Sequence, residues 1–280
     1  MSDTGRLLVC ATPIGNLGDV TLRVLDALRD AHVIVAEDTR VTRKLLARYD
    51  IHTPLERYDE ATAEARTPEL VERIAGGASV ALVSDAGTPG ISDPGERLVD
   101  ACISAGLHVD VLPGASAIIT ALVSSGLPTR AFYFGGFLPR KAGEIRRTLD
   151  SLAALEATLI FYESPRRAAA SLAIVAEAFP GRAAAMAREL TKIHEEIARD
   201  NTQALVAALA GRELKGEVVL LIGPPCADEA PVTDERAVRS AVALHLSEGM
   251  TRKDAVKRVA ADLGVARNEV YRLALDKGEC

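Results

Sequence analysis

Apolar residues in this chain fall into short runs and helical stripes that alternate from the N-terminus to about residue 222. Leu7-Leu8-Val9-Cys10 predicts a buried strand, and Val20, Val24, Leu25, Leu28 and Ala31 then recur at the spacing of one helix face. Val33-Ile34-Val35 predicts a second strand, with Leu45 and Leu46 on the next helix. Leu70, Val71 and Ile74 mark a third helix before the strand Val80-Ala81-Leu82-Val83. Val99, Cys102 and Ile103 mark a fourth before Val109-Asp110-Val111-Leu112. A helix through Ile118, Leu122 and Val123 resumes the alternation, ending near Gly126, and Phe132-Tyr133-Phe134 follows. Further on, the pattern predicts helices near 142–154, 166–178 and 202–210, and strands at 158–162, 183–187 and 218–222. Such alternation predicts parallel sheets covered on both faces. Ten or so strands exceed what one sheet usually holds, so the expectation is two α/β domains, 1–118 and 119–226, joined around 113–130.

Pro224, Pro225 and Pro231 make 223–234 a linker, and 233–280 reads as a small helical domain. Within it Ala260, Gly264 and Val270 have the spacing of a helix-turn-helix: a small residue for close packing, a turn glycine and an anchor on the second helix. The net charge of the chain is −6, yet residues 252–277 hold seven Lys or Arg against four Asp or Glu. That local excess leaves two readings open, a helical cap or a modest nucleic-acid contact. Aromatic residues make up only 4% and Trp is absent, so the cores are expected to be aliphatic. Cys10, Cys102, Cys226 and Cys280 are scattered, which suits a reducing compartment better than a disulfide framework. The dispersed histidines offer no zinc spacing, and no metal site is expected. Met1 to Gly5 is polar and acidic, and no apolar run approaches membrane-spanning length, so a cytoplasmic protein is expected.

One connection stands out: Ser84-Asp85-Ala86-Gly87-Thr88-Pro89-Gly90-Ile91-Ser92-Asp93-Pro94-Gly95, in which five of twelve residues are Gly or Pro. It follows a buried strand, and ligands of open α/β sheets bind beyond such carboxyl ends. Neither G-x-G-x-x-G nor G-K-[ST] follows the first strand, which argues against a dinucleotide or nucleoside triphosphate there.

This loop belongs to an ordered set: Thr12-Pro13-Ile14-Gly15-Asn16-Leu17, Glu37-Asp38-Thr39-Arg40, Pro113-Gly114-Ala115-Ser116-Ala117, Tyr162-Glu163-Ser164-Pro165-Arg166-Arg167, Ala187-Arg188-Glu189-Leu190-Thr191-Lys192 and Gly216-Glu217-Val218. Together the seven motifs resemble the tetrapyrrole-methylase superfamily of S-adenosylmethionine-dependent methyltransferases. Gly87-Thr88-Pro89, where tetrapyrrole methylases commonly have Gly-Asp-Pro, is similar to the branch that methylates the ribose 2′-oxygen of a decoding-site cytidine in 16S small-subunit rRNA. The resemblance implies an S-adenosylmethionine cleft between two α/β domains, a homodimer, and the small ribosomal subunit as partner. It places the cofactor against Pro13, Ala86, Gly87, Ile91, Ser92, Ser116, Ala117, Tyr162 and Ala187. Two rivals remain, a methylase of a tetrapyrrole carbon and a noncatalytic ribosome-assembly or RNA-binding module.

A ribose hydroxyl is a poor nucleophile until its proton is leaving, so a nearby acceptor is expected. Asp38, Glu163 and Glu189 sit at predicted strand ends, with Lys192 and His194 nearby. Asp38 reads equally as a helix cap, and Glu189 as a partner of Arg188. Ser164 and Pro165 read as the cap and first residue of a helix, which puts Arg166 and Arg167 where the macrodipole disfavours cations. An RNA phosphate, the cofactor carboxylate or a salt bridge would each compensate. The remaining expected RNA contacts are Arg40, Arg43, Lys44, Arg252, Lys257, Arg267 and Arg272.

Overall fold

The computed structural model describes residues 5–225, 235–247, 249–263 and 267–275. Residues up to Pro224 form one compact unit and those from Pro225 a second.

The first half of the larger unit runs β1 (Arg6–Cys10), α1 (Leu22–Asp30), β2 (Val33–Ala36), α2 (Thr39–Arg48), β3 (Leu55–Arg57), α3 (Glu60–Ala75), β4 (Ser79–Val83), α4 (Gly95–Ser104) and β5 (His108–Leu112). Its five strands are all parallel, in the order β3-β2-β4-β1-β5. The near-continuous apolar runs of β1, β2 and β4 are what a strand covered on both sides requires. Alternate residues supply two separate cores. Leu8, Cys10, Ile34, Ala36, Ala81 and Val83 pack with Val24, Leu25 and Leu28 of α1 and Leu45 and Leu46 of α2. Leu7, Val9, Val33, Val35, Val80 and Leu82 pack with Leu70 and Ile74 of α3 and Leu98 and Cys102 of α4. Helix starts follow local chemistry: Thr21 accepts from the Val24 N–H at α1, and Asp59 with Thr62 forms a reciprocal box at α3.

The second half runs α5 (Ala117–Ser125), β6 (Phe132–Phe137), α6 (Ala142–Leu152), β7 (Thr158–Glu163), α7 (Pro165–Ala178), β8 (Ala183–Arg188), β9 (Glu196–Asn201), α8 (Thr202–Leu209) and β10 (Val218–Ile222). Its sheet has the order β6-β7-β10-β8-β9. Here the expectation of a parallel sheet is corrected: only β6 and β7 are parallel, and the other three pairings are antiparallel. The short β3 and the polar β9 also lack the apolar run that would announce them; both are edge strands held by backbone ladders to β2 and β8. Helices α6, α7 and α8 cover one face through Leu149, Leu172, Val175 and Leu205. On the other face, Ala121 and Leu122 of α5 pack with Ile160, Ala185, Ala187, Val219 and Leu221, joined by Ile14 from the turn after β1. That shared cluster ties the two sheets into one unit.

The smaller unit contains α9 (Glu235–Ser247), α10 (Arg252–Leu263) and α11 (Arg267–Leu275). Val238, Val242, Val256, Val259, Val270 and Leu273 form its core, with Ala260 packed against it. Ala260 and Val270 thus take the packing positions read from the helix-turn-helix spacing, while Gly264 and most of the 223–234 linker lie outside the described residues. Among the described residues, no helix is long and apolar enough to cross a membrane.

Candidate active site

The carboxyl ends of β1, β2, β4 and β5 face Phe137, the end of β7, Leu190 and the start of β10 across a cavity of about 330 Å³. Its floor is the 84–95 loop. The Thr12 N–H donates to the Gly87 carbonyl at 2.8 Å and the Gly87 N–H returns to the Thr12 carbonyl at 3.0 Å. The Thr12 hydroxyl donates to the Ser84 carbonyl at 3.0 Å, and the Ser84 hydroxyl to Gly87 at 3.1 Å. Gly87 has φ of +83°, which its lack of a Cβ permits. Ser92, not a glycine, holds φ of +63°, a backbone strain kept only where surroundings enforce it. Asp93 Oδ1 enforces it here, accepting the Gly90 and Gly95 N–H groups at 2.7 and 2.8 Å.

Ser116 caps α5, accepting weakly from the Ile119 N–H at 3.5 Å, and brings Ala117 and Ile118 to the wall. Opposite, the Tyr162 ring stands edge-on to Phe134 and Phe137, with centroids 4.9 and 5.4 Å away. Burial, then the charge of Glu217, pushes the Tyr162 hydroxyl above its usual value and keeps it neutral.

Of the nine residues expected to hold a cofactor, Ala86, Gly87, Ile91, Ser92, Ser116, Ala117 and Tyr162 line this cavity. Pro13 and Ala187 do not; both are buried, and Ala187 is part of the cluster beneath the second sheet. The cavity is acidic. Glu37, Asp85, Asp93, Glu163 and Glu217 line it, and among the described residues no Lys, Arg or His does. It therefore suits a ligand with cationic groups and rejects one carrying several phosphates. Burial, then repulsion from Asp85, Asp93, Asp59 and Asp38, raises the Glu37 carboxyl above its ordinary value. Asp85 is raised too, chiefly by burial, although its Oδ1 accepts the Asp38 N–H at 3.0 Å. Neither residue was among the expected proton acceptors; the signal was Glu37 standing directly after the second apolar run.

The expected acceptors are otherwise engaged. Asp38 caps α2 through the Arg40 N–H at 2.8 Å and pairs with the Arg40 guanidinium at 2.6 Å, which holds its carboxyl far below the usual range. Glu163 reaches the cavity wall, but its side chain is 1% exposed and accepts from Arg167, the Ser171 hydroxyl and the Ser164 N–H. Glu189 and Lys192 lie outside the cavity lining and pair with each other at 2.8 Å. Burial alone would raise Glu189, but Lys192 and the Glu217 N–H outweigh it and hold it below its usual value. Burial would likewise lower Lys192, yet Glu189 and Glu217 hold its ammonium above the usual value, so it stays charged. His194 is exposed.

The two arginines of α7 differ. Ser164 does stand at the cap position and Pro165 first in the helix, but the serine hydroxyl makes no capping bond. Arg167 folds back to Glu163 and to the Leu138 and Pro139 carbonyls, so the salt-bridge reading holds for it and an RNA contact does not fit. Arg166 is exposed beside the cavity residues Ser164 and Pro165. Arg43 and Lys44 are exposed on α2, Arg40 is committed to Asp38, and Arg252, Lys257 and Arg272 are exposed on the helical unit. The Arg267 side chain lies outside the described residues.

Sequence comparison gives the class to which this pair of sheets and its acidic cavity belong. Residues 6–206 match the model of the Tetrapyrrole (Corrin/Porphyrin) Methylases, and the chain belongs to that family. Among curated relatives, it is 42% identical to Ribosomal RNA small subunit methyltransferase I of Synechocystis sp., over 97% of this chain and 98% of that protein. It is 45% identical to the protein of the same name from Mesorhizobium japonicum, over 96% and 91%. For that of Bacillus subtilis the figures are 39%, 96% and 94%. Among solved structures, the methyltransferase CobJ aligns with a TM-score of 0.60 at 24% identity, covering 79% of this chain and 94% of that one. A uroporphyrin-III-C-methyltransferase from Thermus thermophilus aligns at 0.57 and 21%, covering 78% and 94%. At these identities the structures speak for the fold.

Proposed function

We propose that this chain is an S-adenosylmethionine-dependent rRNA methyltransferase that modifies the ribose 2′-oxygen of a decoding-site cytidine in the 16S RNA of the small ribosomal subunit. The observation that carries the reading is similarity of 39–45% along nearly the whole chain to proteins named for small-subunit rRNA methylation. The cavity fits the cofactor: apolar walls of Ile14, Ile118, Leu190 and Val219 for an adenosyl group, and carboxylates for sulfonium and ammonium charge. Bound there, S-adenosylmethionine supplies a methyl carbon made electrophilic by the adjacent sulfonium. The protein's contribution is alignment: a floor stiffened by Thr12, Ser84 and Asp93 fixes where donor and acceptor meet, and such positioning supplies much of the acceleration. The rings of Phe134, Phe137 and Tyr162 give the opposite wall an apolar face. Arg166, Arg43 and Lys44 would meet RNA phosphates outside the cavity.

The same reading makes the chain a cytoplasmic protein and a homodimer. Ile119 and Val123, one turn apart on α5 and 48% and 70% exposed, support burial of that face against a second copy. The test is incubation with methyl-labelled S-adenosylmethionine and small subunits from cells lacking this chain, followed by mapping of ribose methylation. Label on one 2′-oxygen is expected. Label on an RNA base, or on a tetrapyrrole carbon instead, refutes the reading, and absence of cofactor binding favours a noncatalytic module.

A further inference from the structure

We propose that Glu37 is the group that takes the proton from the acceptor hydroxyl; this rests on the ribose-methylation reading above. Five carboxylates line the cavity, and four are already occupied. Asp93 is spent on two loop amides, and Asp85 accepts the Asp38 N–H. Glu163 is buried in bonds to Arg167, Ser171 and Ser164. Glu217 pairs with Lys192 at 3.0 Å. Glu37 alone among them has no hydrogen-bond or ion-pair partner within the described residues, and it is exposed to solvent, where a polymer can reach it.

The charges around it are Asp38 on its own segment, Asp59 after β3, and Asp85 and Asp93 from the loop after β4. The nearby Arg40 is committed to Asp38. Partial desolvation at the cavity wall and these like charges raise its affinity for a proton, which brings a carboxylate closer to the strength wanted of a base at neutral pH. In the step itself, the 2′-oxygen forms a bond to the methyl carbon as the carbon–sulfur bond breaks. The electron pair stays on sulfur, giving a neutral thioether. The hydroxyl proton passes to a Glu37 carboxylate oxygen and then to solvent.

The test compares wild type, E37Q and E37D on small subunits lacking the modification, with calorimetry of S-adenosylmethionine binding alongside. For E37Q the expected result is a fall in kcat of about 100-fold or more, as removal of a general base gives. Cofactor affinity should fall far less than kcat, and the rising limb of the pH–rate profile attributable to a carboxyl should disappear. E37D, which keeps the carboxylate, should recover part of the rate. Carbon-detected titration of wild type, which does not depend on any variant folding, should show the Glu37 carboxyl titrating above the ordinary glutamate value. Full kcat in E37Q overturns the assignment, as does an effect confined to cofactor affinity or a Glu37 that titrates below the ordinary value. No ribose methylation by wild type removes the reading beneath it, a failure distinct from an active wild type with an equally active E37Q.

Discussion

Arg167→Leu tests the claim that this arginine is structural and Arg166 is not. The Glu163 side chain is 1% exposed, and Arg167, 33% exposed, donates to it at 2.9 Å while also bonding the Leu138 and Pro139 carbonyls at 3.0 and 2.6 Å. Leucine preserves much of the apolar stem but leaves the carboxylate without a counter-ion. Breaking a buried pair from one side costs about 3–5 kcal/mol. Ser171 and the Ser164 N–H continue to satisfy Glu163, so the lower end applies, about 3 kcal/mol. For a unit of this size that corresponds to a fall in Tm of roughly 6–12 °C. Thermal and urea unfolding of R167L, E163Q and the double variant give the measurement. The double variant should be less destabilised than the sum of the singles, because the stranded charge is gone. A Tm for R167L within about 2 °C of wild type, with RNA methylation lost, would refute the reasoning and return Arg167 to the RNA surface.

Arg166→Glu should leave Tm and cofactor affinity unchanged while raising KM for RNA, and the salt dependence of RNA binding should weaken by about one unit of slope. Gly216→Ala drives a Cβ into the Glu189 carboxyl at a φ of +86°, so the Glu189–Lys192 corner beside the cavity must shift. Strain of about 1–2 kcal/mol or more and weaker cofactor binding by calorimetry are expected. Glu56 and Glu196 are held below their ordinary values: burial opposes this, but Arg66 and Arg73 in one case and Arg212 and Arg188 in the other prevail. Their contribution is complete above the unfolded glutamate value of about 4.3 and disappears as pH falls through the lowered folded values. The E56Q/E196Q variant should therefore lose less stability than wild type between neutral and strongly acid pH in urea titrations.

The period of the apolar residues was enough to find β1, β2 and β4, because each of these buried strands had to be apolar on both faces, and the edge strand β5 still showed itself through Val109, Val111 and Leu112. The stiff 84–95 loop was legible for a related reason: glycine and proline are the residues that make such corners most readily. Edge strands β3 and β9 were invisible because backbone ladders, not side-chain burial, define them. Residue types at strand ends likewise singled out acidic and basic candidates but could not distribute their partners. Asp38 and Arg40 satisfy each other two residues apart, Glu163 is closed off by Arg167 and Ser171, and Glu189 by Lys192, whereas Glu37 has no partner among the described residues and stands partly desolvated near Asp85, Asp93, Asp59 and Asp38. Whether a carboxylate caps, pairs or stands ready depends on groups brought to it from distant segments, and only tertiary structure assembles those.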